Sequence, residues 1–213
     1  MRKNNSTKLG IQKFSGPGYI LEKMPRTILK DLLGQVEKIQ KSFSKQDPFT
    51  HRLAGHLKYE FQILKPKPTF KKYLEKISKK YDTKFGPPFY STSSYTYTGS
   101  TLARLWVNFQ KKNEFNPAHI HAGTYSFVIW LKIPYDLKKE LKTYKKVAGK
   151  PRNSAFEFFY TDPLGAVKIQ SLYLDKKMEG VICFFPAKLS HSVNPFYSSD
   201  GFRISVAGNL MPK

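Results

Sequence analysis

The sequence predicts a mainly β domain with helices at its N-terminal end, an α+β arrangement whose strands form a sandwich, barrel or jelly roll. Three observations predict it. Two segments ahead of residue 82 carry apolar residues at helical spacing. From Thr101 onward the chain breaks into eight short apolar or alternating stretches, and turn signals such as Asp162-Pro163-Leu164-Gly165 separate them.

At 213 residues the chain is long enough for one substantial core and short for two enzyme domains with linkers. Residues 1–94 read as an arm and supporting helices, and 95–213 as the strand-bearing core of the same domain. The first 25 residues, with Gly10, Gly16, Pro17 and Gly18 among polar neighbours, read as an arm feeding an edge strand at Tyr19, Ile20 and Leu21. From Thr27, TILKDLLGQVEKIQKSF sets Ile28, Leu32, Val36 and Ile39 on one face of an amphipathic helix. A second helix is expected over 69–81, where Phe70, Tyr73, Leu74 and Ile77 share a face and Pro66 and Pro68 mark the approach. HRLAGHLKYEFQIL, between them, has no clear period and reads as a mixed segment packing helices onto sheet. Gly86 to Gly99 reads as loop and short strand.

The eight predicted strands cover 101–110, 117–121, 124–134, 153–162, 166–174, 180–186, 190–196 and 202–210. A polar, Lys-rich insert from Asp136 to Arg152 interrupts them and is placed outside the core.

Composition narrows the function classes. The chain is 40% hydrophobic and 15% aromatic, which excludes disorder. No apolar run approaches the roughly 20 residues of a membrane span, and the start, MRKNNSTKLGIQKF, lacks the apolar stretch of a signal peptide. No membrane partner and a cytoplasmic location are the expectations. Cys183 is the single cysteine, so no intrachain disulfide forms, and its apolar setting makes it core. The net charge of +22 makes an acidic macromolecule such as nucleic acid a candidate partner. Only six of the 37 basic residues are Arg, so a solvated Lys surface written by an AT-rich genome is the competing reading. Oligomeric state leaves no mark in the sequence.

Three constellations carry chemistry. In PAHIHAG, His119 and His121 are two apart and face the same way if the segment is extended. His191 follows the run GVICFFPAKL at the end of a predicted strand. Three imidazoles make a metal site suited to Fe, Zn, Cu or Ni, against the reading that the pair are ordinary surface or core histidines. His51 and His56 read as structural, with His56 beside the helices. In FRISVAGNL, Arg203 and Ser205 share one face of an apolar strand. A buried arginine needs an anion, which is either a ligand carboxylate held by both side chains or an internal acid, of which Asp200 is nearest in sequence. In LWVNFQ, Trp106, Asn108 and Gln110 share a face, as amides that orient a ligand or as a cross-strand pair.

NPAHIHAGTYSFVIWLKIP and GVICFFPAKLSHSVNPFYSSDGFRISVAGNL resemble the iron(II)- and 2-oxoglutarate-dependent oxygenases, in particular a prolyl-hydroxylase-like group common in marine phages. The resemblance covers residues 95–210. It implies a double-stranded β-helix (jelly roll), Fe(II) as cofactor, and 2-oxoglutarate and dioxygen as cosubstrates. It makes His119 and His191 iron ligands and sets Arg203 and Ser205 on the distal carboxylate of 2-oxoglutarate. Asn108 matches an asparagine that DNA-repair dioxygenases carry eleven residues before their first histidine.

One position departs from the family pattern, because His121 stands where an aspartate is the rule. Either His119, His121 and His191 form a three-histidine centre with one less negative charge, or one ring stands off and a position is left to water, a halide or a carboxylate such as Glu114. The expected activity is hydroxylation of a peptidyl, proline-like substrate or of a nucleic acid or nucleotide, in the cytoplasm of an infected host if phage-encoded. Tyr90, Tyr95 and Tyr97 are then stacking or lid residues at the mouth, or plain strand packing. The competing classes are a jelly-roll metal-binding or virion-associated protein without turnover, and a basic nucleic-acid-binding module.

Overall fold

In chain order the elements are β1 (Gly10–Gln12), β2 (Tyr19–Lys23), α1 (Arg26–Lys41), β3 (Glu60–Gln62), α2 (Pro68–Phe85), β4 (Ser100–Gln110), β5 (Asn116–His119), β6 (Tyr125–Lys132), α3 (Leu137–Lys142), β7 (Phe156–Thr161), β8 (Val167–Leu172), β9 (Val181–Pro186), β10 (Ser190–Val193) and β11 (Arg203–Pro212). A short 3-10 helix, Lys176–Met178, precedes β9. This computed structural model describes residues 9–12, 18–43, 55–63, 66–88, 97–143 and 151–213.

The strands form two antiparallel sheets, one of seven strands in the order β1-β2-β9-β6-β11-β4-β3 and one of four in the order β5-β10-β7-β8. Within the run from β4 to β11 the pairs are nested: β4 with β11, β5 with β10, β6 with β9 and β7 with β8.

Side-chain alternation sends the large sheet's residues to two cores. Val107, Phe109, Ile129, Phe184 and Val206 face the helices and pack with Leu32 and Val36 of α1 and Phe70, Leu74 and Ile77 of α2. Val128, Trp130, Cys183 and Phe185 face the small sheet and pack with its Phe156 and Phe158. Covered on both faces, β6 is buried from Tyr125 to Leu131, which is why YSFVIWL reads as a continuous apolar run and not an alternation. Cys183 is in the inner core, as expected.

Both helices start at prolines, with Pro68 in the first turn of α2, where a missing N–H costs nothing. The Tyr81 hydroxyl donates to the Gly18 carbonyl at 3.0 Å and ties α2 to the start of β2.

Two sequence expectations change. The segment Tyr19–Leu21 is not at the sheet edge, because β1 pairs outside it through Ile11↔Ile20. The insert from Asp136 is not wholly outside the core either. Its short helix α3 carries Glu140, fully buried, which accepts from the Tyr197 and Ser198 backbone N–H groups at 2.8 and 2.9 Å. Residues 144–150 of that insert, and His51, Tyr90 and Tyr95, lie outside the described residues. Among the described residues no helix is long and apolar enough to cross a membrane.

Candidate metal centre

Between the two sheets lies an open pocket lined by residues of both. The three histidines of the sequence reading meet at its small-sheet side, with ligand atoms within 4.8 Å of one another. The register brings two of them together, because β5 and β10 pair with His119 directly opposite His191. Ring centroids are 4.4 Å apart for His119 and His191, 4.9 Å for His119 and His121, and 5.0 Å for His121 and His191.

β5 ends at His119, so His121 is placed by the following loop and not by the strand expected to reach it. The His121 N–H donates to the Ala187 carbonyl at 2.8 Å, and the Thr124 N–H donates to the Leu210 carbonyl at 2.8 Å. Gly123 lets the loop pass this closely: its φ is 108°, and a Cβ there would lie 2.4 Å from the Leu210 oxygen.

The rings differ in how they are held. The His119 Nδ1 donates to the Pro117 carbonyl at 2.7 Å, and the His191 Nδ1 donates to the Leu189 carbonyl at 2.9 Å. That assignment leaves each Nε2 with its lone pair toward the cluster, the arrangement by which metal-binding histidines are fixed. Among the described residues the His121 ring makes no hydrogen bond, and it rests 5.7 Å from the Trp106 ring.

Burial lowers the pKa of all three. For His119 burial outweighs the Pro117 bond, and His121 is pushed down to about 4 by burial and then by His119. His191, 3% exposed, is held well below the ordinary value by burial first and its two neighbours next. Three neutral imidazoles at pH 7 are the form that binds a divalent metal. The donor set fits Fe(II), and equally zinc or nickel by softness alone.

Arg203, which also lines the pocket, is buried at 2% exposure. All five of its N–H groups donate within the protein. The Nε and Nη2 groups share Gln110 Oε1 at 3.0 and 2.6 Å; Nη1 reaches the Tyr135 hydroxyl at 3.1 Å and the Ser154 carbonyl at 2.8 Å; Nη2 also reaches the Asn194 carbonyl at 2.8 Å. Every acceptor is neutral, and among the described residues no acid pairs with it. Asp200, the acid nearest in sequence, instead meets Lys112 at 2.5 Å. A buried cation with bonds but no counter-charge favours an anionic ligand.

The rest of the large-sheet wall is set by one cross-strand row. Glu60 on β3 is opposite Asn108 on β4, Asn108 is opposite Ser205 on β11, and Ser205 is opposite Trp130 on β6. All four line the pocket. A bulge between Ile204 and Ser205 lies at this point of the row, a common device for re-aiming side chains at a site. Asn108 Nδ2 donates to Ser205 Oγ at 3.4 Å, while Asn108 Oδ1 is buried without a partner. Val128, Trp130, Phe156 and Phe185 make the wall largely apolar.

The structure thus gathers His119, His121, His191, Asn108, Arg203 and Ser205 around one pocket. Gln110 serves Arg203 and does not face a ligand. Three expectations are corrected. Glu114 is not at the histidines; its carboxylate accepts from the backbone N–H groups of Lys58 and Lys111 at 3.2 and 2.7 Å. Tyr97 is not at the mouth, since its hydroxyl bonds Asp82 on α2 and Ser100. His56 does not pack beside the helices but stacks on Phe115, 4.8 Å between centroids. Sequence reasoning missed Glu60 and Trp130. The alternation of Glu60 with Phe61 was the available signal for the first, and a three-residue strand is too short to make it clear.

Residues 104–209 match a protein-family model described as "Putative 2OG-Fe(II) oxygenase". Among solved structures, the chain is similar to a prolyl-4-hydroxylase from Pseudomonas putida at 10% identity and a TM-score of 0.56, with 92% of each chain covered. It also aligns with an oxidoreductase of the 2OG-Fe(II) oxygenase family from Burkholderia pseudomallei at 14% identity and a TM-score of 0.44, covering 91% of this chain and 84% of that one. The first of these likenesses shows a shared fold. No curated protein sequence matches the chain.

Proposed function

The match over 104–209 places this chain in the 2OG-Fe(II) oxygenase family, and from that premise we propose that it is a hydroxylase in which His119, His121 and His191 hold Fe(II) while Arg203, Ser205 and Asn108 seat 2-oxoglutarate. The nested pairing of the eight strands from β4 to β11 supports a double-stranded β-helix, a jelly roll, as the frame. Residues 95–213 then form the catalytic core, and the preceding helices seal its outer face.

When bound, iron with 2-oxoglutarate and dioxygen supplies the oxidation of an unreactive C–H bond, with succinate and carbon dioxide as co-products. The chain's own residues supply binding, orientation and dryness. The bonds from His119 and His191 to backbone carbonyls fix their rings before any ligand arrives. Three neutral ligands leave the charge of a divalent ion uncompensated, which favours a dianionic cosubstrate next to it. The Arg203 charge draws the distal carboxylate, and because its five N–H groups are already engaged, the carboxylate enters by sharing or displacing a neutral acceptor, with the Ser205 hydroxyl as second donor. The apolar wall keeps water from the reacting centre.

The observation that carries this reading is that a three-histidine cluster and a buried arginine without a counter-acid line the same pocket. The P. putida likeness favours a peptidyl, proline-like substrate. The test is succinate release from 2-oxoglutarate under air with Fe(II). Wild type is expected to turn over and His191→Ala to fall to background; equal rates in both would sink the assignment.

A further inference from the structure

Glu60 is a second buried charge-bearing group in the pocket, and neither the metal centre nor the cosubstrate seat uses it. It is 1% exposed, its Oε2 atom has no hydrogen-bond partner, and it lines the pocket. Among the described residues no cation lies within ion-pair distance of it, and Arg203, on the same pocket, is not paired with it. In the cross-strand row, Glu60 on β3 is directly opposite Asn108 on β4, one strand spacing or about 5 Å from it. Asn108 Oδ1, in the same row, is also buried without a partner.

Two orphaned oxygens side by side define the missing ligand. Both accept hydrogen bonds, one can carry negative charge, and leaving either buried without a donor is costly. A bound 2-oxoglutarate offers only oxygens, so it can accept from Asn108 Nδ2 but gives no N–H to Asn108 Oδ1 or to an ionised Glu60.

We infer that Glu60, with Asn108 beside it, is the specificity-determining subsite for the substrate to be oxidised, and that it takes a cationic nitrogen carrying N–H donors, an alkylammonium or guanidinium group. This rests on the hydroxylase reading for the reaction, though not for binding, and sets a cationic side chain in place of the proline-like one that the fold likeness alone favours. Burial, with Glu114 second, pushes the Glu60 carboxyl up to about 8, so the empty pocket holds it mostly neutral. An arriving cation reverses that balance and gains an ion pair shielded from water.

The experiment titrates N-acetyl-lysine methylamide, and the isosteric N-acetyl-norleucine methylamide, into wild type, Glu60→Gln and Glu60→Met. Tryptophan fluorescence reports binding, since Trp106 and Trp130 line the pocket. Each series is run on metal-free protein and, without oxygen, on protein with Fe(II) and 2-oxoglutarate. Wild type is expected to bind the lysine probe about tenfold or more tightly than the norleucine probe. Glu60→Met should erase that preference, Glu60→Gln should keep a small part of it, and 2-oxoglutarate affinity should change less than about threefold in either. Thermal melts of the variants establish that they are folded. Equal binding of the two probes to wild type overturns the inference, as does a Glu60→Met variant that loses 2-oxoglutarate and keeps the lysine preference. Failure of the oxygenase reading appears separately, as absent 2-oxoglutarate binding in wild type whatever the probes do.

Discussion

The two faces of the seven-stranded sheet obey opposite rules. On the helix side, Phe61, Val107, Phe109 and Val206 meet α1 and α2 in a dry core. On the other, the same strands present Glu60, Trp106, Asn108, Arg203 and Ser205 to a pocket where charges lack counter-charges and polar atoms lack partners. Alternation along β4 and β11 divides the work residue by residue. One face provides stability, and the other gives some of it up to be ready for ligands.

The comparison breaks most visibly on the dry face. Phe61→Ala removes a ring that is 2% exposed and packs 4.9 Å from Phe43, and it should cost about 3–5 kcal/mol in urea unfolding. Metal affinity of the protein that remains folded should not change, so a parallel loss would mean the faces are coupled.

On the wet face, Arg203→Met should act on the ligand as well as on the fold, since it also strands the acceptors that Arg203 now serves. Affinity for 2-oxoglutarate, measured calorimetrically, should fall roughly 10- to 100-fold, the worth of one hydrogen-bonded charge. Unchanged affinity would remove Arg203 from the cosubstrate seat.

Acid sharpens the contrast. Above pH 6.5 the three histidines are neutral in folded and unfolded chains alike. As pH falls from 6.5 toward about 4, the unfolded chain takes up protons that the buried rings refuse, so stability is lost over that window. Metal-free protein should lose about 2–3 kcal/mol across it from His121 alone, and replacing His121 by Asn should flatten the slope. A pH-independent melting temperature between 6.5 and 4 would contradict the burial of the cluster.

The smallest expected effect has the opposite sign. Glu60 has its folded value raised to about 8, so its contribution is intact below the ordinary carboxyl value of 4.5 and is lost as pH rises through 8. Glu60→Gln should therefore leave the melting temperature unchanged at pH 4.5 and raise it at pH 8, by roughly 2–4 °C per kcal/mol recovered. A fall at pH 8 would mean that a cation pairs with Glu60 in the folded protein.

Much of this was legible in the sequence. Both long helices and all eight strands of the core fall where periodicity and turn residues place them, because each pattern is local. His119, His191, Arg203 and Ser205 stood out as polar residues among apolar ones. What depends on register was hidden. That Arg203 would be satisfied by carbonyls of Ser154 and Asn194 cannot be read from FRISVAGNL, since Ser154 is 49 residues away and Asn194 lies before the turn that leads into the strand. Glu140, in a Lys-rich insert, looked like a solvated acid until Tyr197 and Ser198 closed over it. Glu60 reaches the pocket only through pairing of a three-residue strand with β4.

Whether one pocket binds both iron and 2-oxoglutarate through these side chains is decided by anaerobic titration of Fe(II) and 2-oxoglutarate, following the metal-to-ligand charge-transfer band. Wild type should show a band that disappears in His191→Ala and weakens in Arg203→Met. A wild-type protein with no band, or a band that survives loss of His191, would contradict binding through these side chains.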